Sequence, residues 1–408
     1  MKWIFTSLSP NVEQDDIQKA LAVLFRPWKW NRWTAARELK TFFENLFGGT
    51  AYTFVSGRTS LYAILKSLGL QAGDEVLLQA YTCVAVPDPV LWAGLKPVYV
   101  DCDKTLTMSP THLETAITSR SRVLIVQHTF GNPARLNEIL TIARKHNLFV
   151  IEDCAHALGG TYQGQKLGTF GDAAFFSFGR DKVLSSVFGG VAVVHNAKIN
   201  DSMGRIHDSF PPPKNIWILQ QLMHPLVLGI AKPLYGFLSI GKIIIAVAKI
   251  CGIISKPVQK VERGGGVPSF AFHTMPAALA ILALAQCKKL ERFNSHRRHL
   301  CEMYARELED TNYSHYEQTE TNTPMLRFTI IAPHARKLIL LARKQGIELG
   351  NWYTTPLAPE GSNYAALNYT LGSCKQAEAY ARTTLNLPTH IGISDKDALR
   401  IVDFLKKN

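Results

Sequence analysis

Residues 50 to 195 alternate short apolar runs with segments of helical period, and few folds accommodate that pattern. "AYTFVS", "DEVLLQA", "KPVYVD", "RVLIVQHTF" and "LFVIEDC" read as strands. Between them, "RTSLYAILKSLGL", "PDPVLWAGL", "PTHLETAI" and "RLNEILTIARKHN" read as helices. Short strands that are apolar on both faces and separated by helices predict a mostly parallel sheet covered on both sides, an α/β fold. Ligands of such sheets sit beyond the carboxyl ends of the strands. The residues just after each strand are therefore the ones to watch: "SGRTS", "AYTC", "HTFGN" and "DCAH".

With 408 residues, 47% of them hydrophobic, the chain can bury a large core and divide into two domains. A formal net charge of +13 favours acidic partners. The basic residues are dispersed and no nucleic-acid motif occurs, so no nucleic acid is expected. Seven cysteines with no Cys-x-x-Cys pair suit neither a disulfide framework nor a metal site, and fit a reducing cytoplasm. The opening "MKWIFTSLSP" has too short an apolar run for a signal peptide. The expected location is cytoplasmic, or peripheral at the inner face of the membrane.

The second location follows from residues 215–257, "NIWILQQLMHPLVLGIAKPLYGFLSIGKIIIAVAKICGIISKP", which hold no acid. The uncharged run 215–231 contains Asn215, Gln220, Gln221, His224 and Pro225 and falls short of the about 20 apolar residues a span needs. Lys242, Lys249 and Lys256 recur every seven residues, a spacing that puts them on one helical face. That describes either an interfacial helix on anionic lipid or a dimer or domain contact burying the same surface. "RPWKWNRW" (26–33), tryptophan mixed with basic residues, suits an interface equally. The expected divisions are an N-terminal segment (1–50), a large domain (51–210), the insert (211–262) and a smaller C-terminal α+β domain (263–408). "ERGGG" (262–266) reads as a hinge. After it, "MPAALAILALAQCKKLERFNSHRRHLCEMYARELED" reads as one long helix, "PMLRFTIIA" as a strand, and "PHARKLILLARKQGI" and "KDALRIVDFLKK" as helices.

One lysine, Lys182, stands between two apolar runs in "AFFSFGRDKVLSSVFGGVAVV". An aldehyde cofactor such as pyridoxal phosphate needs a lysine amine, a carboxylate to keep its ring nitrogen protonated, and donors for its phosphate. Asp153 ends a strand, Ser177 lies five residues before Lys182, and "SGRTS" opens a helix whose free N–H groups and dipole attract phosphate. Each piece alone has a plainer reading: a helix cap, an ordinary helix start, a solvated lysine. Their order and spacing together favour the chemistry.

"SGRTSLYAIL", "LGLQAGDEVLLQAYTCVA", "AGLKPVYVDCD", "IEDCAHALGGTYQGQKLGTFGDAAFFSFGRDK" and "GGVAVV" resemble the sugar aminotransferases of the DegT/StrS family. The likeness covers about residues 40–196 and resumes weakly in "AALAILALAQCKKLERF" and "AEAYARTTLNLPTHIGIS". It implies the PLP-dependent transferase (aspartate aminotransferase-like) fold, pyridoxal 5'-phosphate (PLP), and a homodimer. By the same resemblance Lys182 is the Schiff-base lysine and general base, and Asp153 is the partner of the ring nitrogen. His156 lies beside a cofactor oxygen, or else is a capping or core histidine. Ser177 and the N–H groups of Gly57, Arg58 and Thr59 hold the phosphate. The implied substrates are glutamate as amino donor and a nucleotide-linked keto-sugar of surface polysaccharide or glycolipid synthesis. Lysine rather than histidine at position 182 favours transamination over the family's deoxygenating branch.

Several family positions are altered. Cys83 occupies the place of an aromatic that stacks on the cofactor ring, so either Tyr81 takes that role or stacking is weaker. "VFGG" (187–190) lacks the glutamate of the family's "GEGG". "FHTM" (272–275) replaces "NYRM", which reaches into the partner subunit, with Phe272 for the amide and Thr274 for the arginine. Two rivals therefore stand: a membrane-associated aminotransferase acting on a lipid-linked sugar, and a PLP-binding interaction protein without catalysis.

Overall fold

The computed structural model describes residues 2–32, 34–320 and 322–408. Seven strands form the central sheet: β1 (Thr50–Phe54), β2 (Glu75–Gln79), β3 (Lys96–Val100), β4 (Ser121–Gln127), β5 (Phe149–Asp153), β6 (Ala173–Ser177) and β7 (Gly190–Val194), in the order β1-β7-β6-β5-β4-β2-β3. Neighbours from β6 to β3 are parallel, and β7 runs antiparallel to both β6 and β1. The parallel strands are apolar throughout because both faces are covered. Helices α1 (Gln14–Leu24) and α2 (Thr34–Phe47) precede the sheet. Within it, α3 (Gly57–Ser67), α4 (Pro87–Trp92), α5 (Pro110–Ala116) and α6 (Leu136–Lys145) connect the strands, and α7 (Asn200–Ser209) follows β7.

Phe43 and Phe47 of α2 pack on Phe176 of β6 with ring centroids 5.2 and 4.5 Å away. Burying such a ring contributes about 1.5–3 kcal/mol. The pairing also fixes the strand that leads into Lys182. Register then lines up the carboxyl ends: Gln127 of β4 opposes Asp153 of β5, and Phe175 of β6 opposes Asp153 from the other side. Glu152, buried next to Asp153, accepts N–H bonds from Gly168 (2.8 Å), Phe170 (2.6 Å) and Gly171 (2.9 Å), which ties the turn before β6 to the end of β5.

The insert forms α8 (Asn215–Ala231) and α9 (Ile240–Ile250). α8 packs on α1 and α9, and Val227, Leu228, Tyr235, Ile245 and Ile254 make a small core of their own with Trp3 and Phe5. The lysine stripe does not survive: α9 ends at Ile250, so Lys256 lies beyond the helix. Lys242 folds over the rings of Trp3 (4.6 Å) and Tyr235 (5.3 Å). Among the described residues no helix is long and apolar enough to cross a membrane. Of the basic–tryptophan segment, Trp33 lies outside the described residues, and Trp28 is exposed.

Residues 262–266, expected as a hinge, make contacts with the large domain. Glu262 is fully buried and pairs with Arg58, and Trp92 Nε1 donates to the Gly265 carbonyl at 3.0 Å. The expected long helix is two, α10 (Ala277–Cys287) and α11 (Leu290–Leu308), broken at Lys288–Lys289. The break lets α10 pack on α1 and α2 while α11 packs on the terminal helix, α14 (Asp395–Lys406). Between them, α12 (Ala335–Lys344) and α13 (Lys375–Thr383) and an antiparallel sheet of Ser314–His315, Arg327–Ile331 and Thr384–Pro388 make a second core.

Candidate active site

At the carboxyl ends of β4, β5 and β6 lies a cavity of about 630 Å³, bounded on its other sides by the N-terminus of α3, the insert and the loop at 351–360. Gly57, Arg58, Cys83, Asp153, His156, Ser177 and Lys182 all line it. Seven of the nine residues singled out from sequence thus meet around one space.

Lys182 Nζ lies 2.8 Å from His156 Nε2. The Phe130 N–H donates to His156 Nδ1 at 3.2 Å, so Nδ1 is the acceptor nitrogen and Nε2 carries the ring proton. Burial, with Lys182 and Arg327 adding to it, pushes the imidazole well below its ordinary range and keeps it neutral. The Lys182 amine is also lowered, chiefly by burial and against the pull of Asp153. That direction favours the unprotonated amine, the form that accepts a hydrogen bond from Nε2–H and is nucleophilic. Asp153 is buried, takes the Ala155 N–H at 3.0 Å, and has its carboxyl raised by that burial, against opposing pulls from the Ala155 N–H and Lys182. A cationic N–H entering the cavity would relieve it.

The cradle between α3 and β6 requires glycine. A Cβ on Gly57 would lie 3.0 Å from Ser177 Cβ and 3.4 Å from Ser177 Oγ. Ser56 caps α3, its Oγ accepting the Thr59 N–H at 3.2 Å. Here two expectations are corrected. The Thr59 N–H is already taken by that cap and Thr59 is fully buried, so the cradle is left to Gly57, Arg58 and Ser177. Tyr81 does not reach the cavity: its backbone turns at φ 67°, and the ring packs among Phe130 and Tyr353 with its hydroxyl 2.6 Å from Thr384 Oγ1. Cys83 therefore lines the cavity without it, its thiol raised by burial.

Several residues in and behind the cavity wall had no signal in the sequence. The Trp352 ring stacks on His156 at 5.5 Å and receives Lys182 Nζ at 5.2 Å, with the Arg327 guanidinium 3.6 Å from its centroid. Asn11, fully buried, donates to the carbonyls of Lys182 (2.7 Å) and Val183 (3.0 Å), and buried Arg297 donates to Val183 O (2.8 Å) and Asn11 Oδ1 (3.1 Å). Phe272 packs on Tyr62 at 4.3 Å, and Thr274 bridges to Phe54.

The seven-stranded, mostly parallel sheet, with Lys182, His156 and Asp153 gathered at its carboxyl edge, is the PLP-dependent transferase (aspartate aminotransferase-like) fold. Among solved structures, "Putative sugar aminotransferase Spr1654 from Streptococcus pneumoniae, PLP-form" superposes with a TM-score of 0.77 over 100% of this chain and 98% of that one, at 20% identity. The chain belongs to the DegT/DnrJ/EryC1/StrS aminotransferase family, whose sequence model matches residues 10–210 and 258–406. GDP-perosamine synthase of Escherichia coli O157:H7 is 36% identical over 165 residues, 39% of this chain and 45% of that protein. The "Pleiotropic regulatory protein" of Geobacillus stearothermophilus is 26% identical over 353 residues, 85% of this chain and 82% of that protein. The chain spans about half, or less, of the length of several curated relatives it matches.

Proposed function

We propose that this protein is a PLP-dependent aminotransferase that moves an amino group from glutamate to a nucleotide-linked keto-sugar, in surface polysaccharide or glycolipid synthesis. The observation that carries the reading is the 2.8 Å contact of Lys182 Nζ with His156 Nε2 in the same cavity as Asp153. Printed names of relatives supply the substrate class: "GDP-perosamine synthase" and "UDP-N-acetyl-3-dehydro-alpha-D-glucosamine 3-aminotranferase".

The residues fit the cofactor on three counts: Gly57 and Ser177 leave a cradle that a Cβ would fill, burial raises the Asp153 carboxyl so that a cationic partner would relieve it, and burial lowers the Lys182 amine, favouring its nucleophilic form. When bound, PLP would supply an electron sink for the carbon that loses its proton. Gly57, Arg58 and Ser177 would bind its phosphate, and Asp153 would hold the proton on its ring nitrogen. Lys182 Nζ would accept the proton leaving the donor's Cα and hold it for return, with His156 Nε2–H orienting the amine lone pair. Trp352 closes one wall against water.

The test is the visible spectrum of protein supplied with PLP, for wild type and Lys182→Ala, before and after glutamate. A band at about 420 nm in wild type, absent in the variant and bleached by glutamate, is expected. A band that glutamate leaves unchanged would remove catalysis with that donor, and no Lys182-dependent band would remove the whole reading. A homodimer belongs to this reading, and sedimentation at working concentration checks it.

One observation favours a membrane-held, lipid-linked sugar as a second reading. The insert exposes Leu238 (79%) and Ile250 (84%), together with Phe237 and Ile243, in a stretch with no acid from 215 to 257. Cosedimentation with anionic vesicles that is lost in Leu238→Ser/Ile250→Ser supports it, and no cosedimentation of wild type removes it.

A further inference from the structure

The insert that the family match leaves out, residues 211–257, does not hang outside the molecule. Its end roofs the cavity: Lys249, Lys256, Pro257 and Val258 line the mouth, joined by Arg263. The backbone on either side of Lys256 is pinned to arginines of the site. Arg180, almost wholly buried, donates through NH1 to the Ser255 carbonyl at 2.6 Å and through NH2 to Ser255 Oγ. Arg58 NH2 donates to the Pro257 carbonyl at 3.1 Å. Behind them, Ser255 Oγ donates to Gln221 Oε1 at 2.7 Å, and Gln220 Nε2 donates to the Gly252 carbonyl at 2.7 Å. Lys256 is thus placed by contacts with the site and with α8 together.

The charges at the mouth are unbalanced. Lys249, Lys256 and Arg263 are exposed, and no carboxylate among the described residues forms an ion pair with them. The buried Nε of Arg180 has no partner at all. Besides Asp153, the acids lining the cavity among the described residues are Asp181 and Glu360, and each has a partner of its own. Asp181 accepts the Ser9 N–H at 3.1 Å, and Glu360 pairs with Arg336 at 3.3 Å. A rim of three exposed cations that form no ion pair among the described residues, around a cavity of about 630 Å³, raises the local potential for a polyanion reaching toward Lys182.

We propose that residues 249–263 are a substrate-recognition arm, in which Lys249, Lys256 and Arg263 bind the diphosphate of the sugar substrate at the cavity mouth. The inference rests on the aminotransferase reading for the sugar, but not for the anion site itself. A diphosphate diester carries a negative charge on each phosphorus, which two lysines and an arginine fork match. Nucleotide-linked and lipid-linked sugars share that group, and the arm reads it in either. Because the arm comes from the insert, the diphosphate contact is supplied by the same chain that supplies Lys182.

The test is calorimetric titration of PLP-supplied protein with uridine diphosphate, guanosine diphosphate and geranyl diphosphate, with inorganic phosphate as the control. Wild type is compared with Lys249→Ala/Lys256→Ala and with Lys249→Arg/Lys256→Arg. At least one diphosphate is expected to bind wild type. Affinity should fall roughly tenfold for each lysine removed. The arginine pair should retain binding, which a merely structural role of the alanine change would not give. Tighter binding of the nucleoside diphosphates supports the arm and assigns a nucleotide source. Tighter binding of geranyl diphosphate supports it and assigns a lipid source. Equal binding to wild type and the alanine pair, or no binding of any diphosphate, overturns the proposal. Release of 2-oxoglutarate from glutamate by wild type is measured separately. If that fails while the lysine-dependent binding stands, the aminotransferase reading falls and the anion site does not.

Discussion

Asn11→Ala is a substitution far from Lys182 in sequence that should act on it directly. Asn11 is fully buried, and among the described residues its Nδ2 is the only side-chain donor to the Lys182 carbonyl, at 2.7 Å. Alanine leaves that buried carbonyl without its partner, a loss of about 1–3 kcal/mol. The vacated amide volume adds about 1 kcal/mol if the site does not collapse. Val183 O retains its bond from Arg297 at 2.8 Å, so the damage concentrates on Lys182 itself. The total should be roughly 2–4 kcal/mol in urea unfolding. If the amide positions the lysine, PLP affinity should fall, and the pH at which the visible band shifts should move as well. A purely structural Asn11 would lower stability and leave that pH unchanged. Stability within about 0.5 kcal/mol of wild type together with an unshifted band would refute the reasoning.

Three further outcomes follow from buried groups. The Asp88 carboxyl has no partner on either oxygen, and burial, with Glu262 adding to it, pushes it up to about 9. Between about pH 4 and pH 9 the unfolded chain has lost this proton while the folded chain keeps it, so this group makes stability fall as pH rises. Asp88→Asn should raise stability at pH 8 by on the order of 2 kcal/mol and flatten the alkaline decline of Tm. The Glu152 carboxyl would be raised by burial alone but is lowered on balance, because His128 and the N–H groups of Gly168 and Gly171 hold its charged form. Its contribution is full above about pH 4.5 and is lost as pH falls through the lower folded value. Glu152→Gln should cost roughly 2–4 kcal/mol at pH 7 and weaken the acid dependence of urea unfolding. Gly57→Ala sets a methyl 3.0 Å from Ser177 Cβ and should weaken PLP binding roughly tenfold, read by spectral titration, with Ser177→Ala as the comparison.

The parallel sheet was legible because each strand is apolar on both faces and each connection keeps helical period; all five strand readings of residues 50–154 coincide with β1–β5. Lys182, Asp153, His156 and Ser177 were legible through a motif whose parts the register then gathers at neighbouring strand ends. Tyr81 misled because a left-handed turn at its backbone sends the ring into the other core, and nothing local in "AYTC" marks that turn. The junction of α10 and α11 misled because Lys288–Lys289 continues a helical pattern with neither proline nor glycine, and only the divergent packing of the two helices breaks it. Asn11, Arg297, Trp352 and the insert lysines act across long separations, where sequence spacing carries no information on contact.

The parallel pairing of Ile4–Phe5 with Ile347–Glu348 bears on how the chain is made. At about 5–20 residues per second, the strand partner emerges roughly 20–70 seconds after the first residues. Through that interval Ile4–Phe5 has no ladder to join, and nearby Asn11 waits on Arg297 before its contacts around Lys182 are complete. The lysine loop and the central sheet are synthesised well before the clasp that steadies them. Competence for cofactor should therefore come late in translation, and a nascent chain released before residue 297 should carry the sheet with the contacts around Lys182 incomplete.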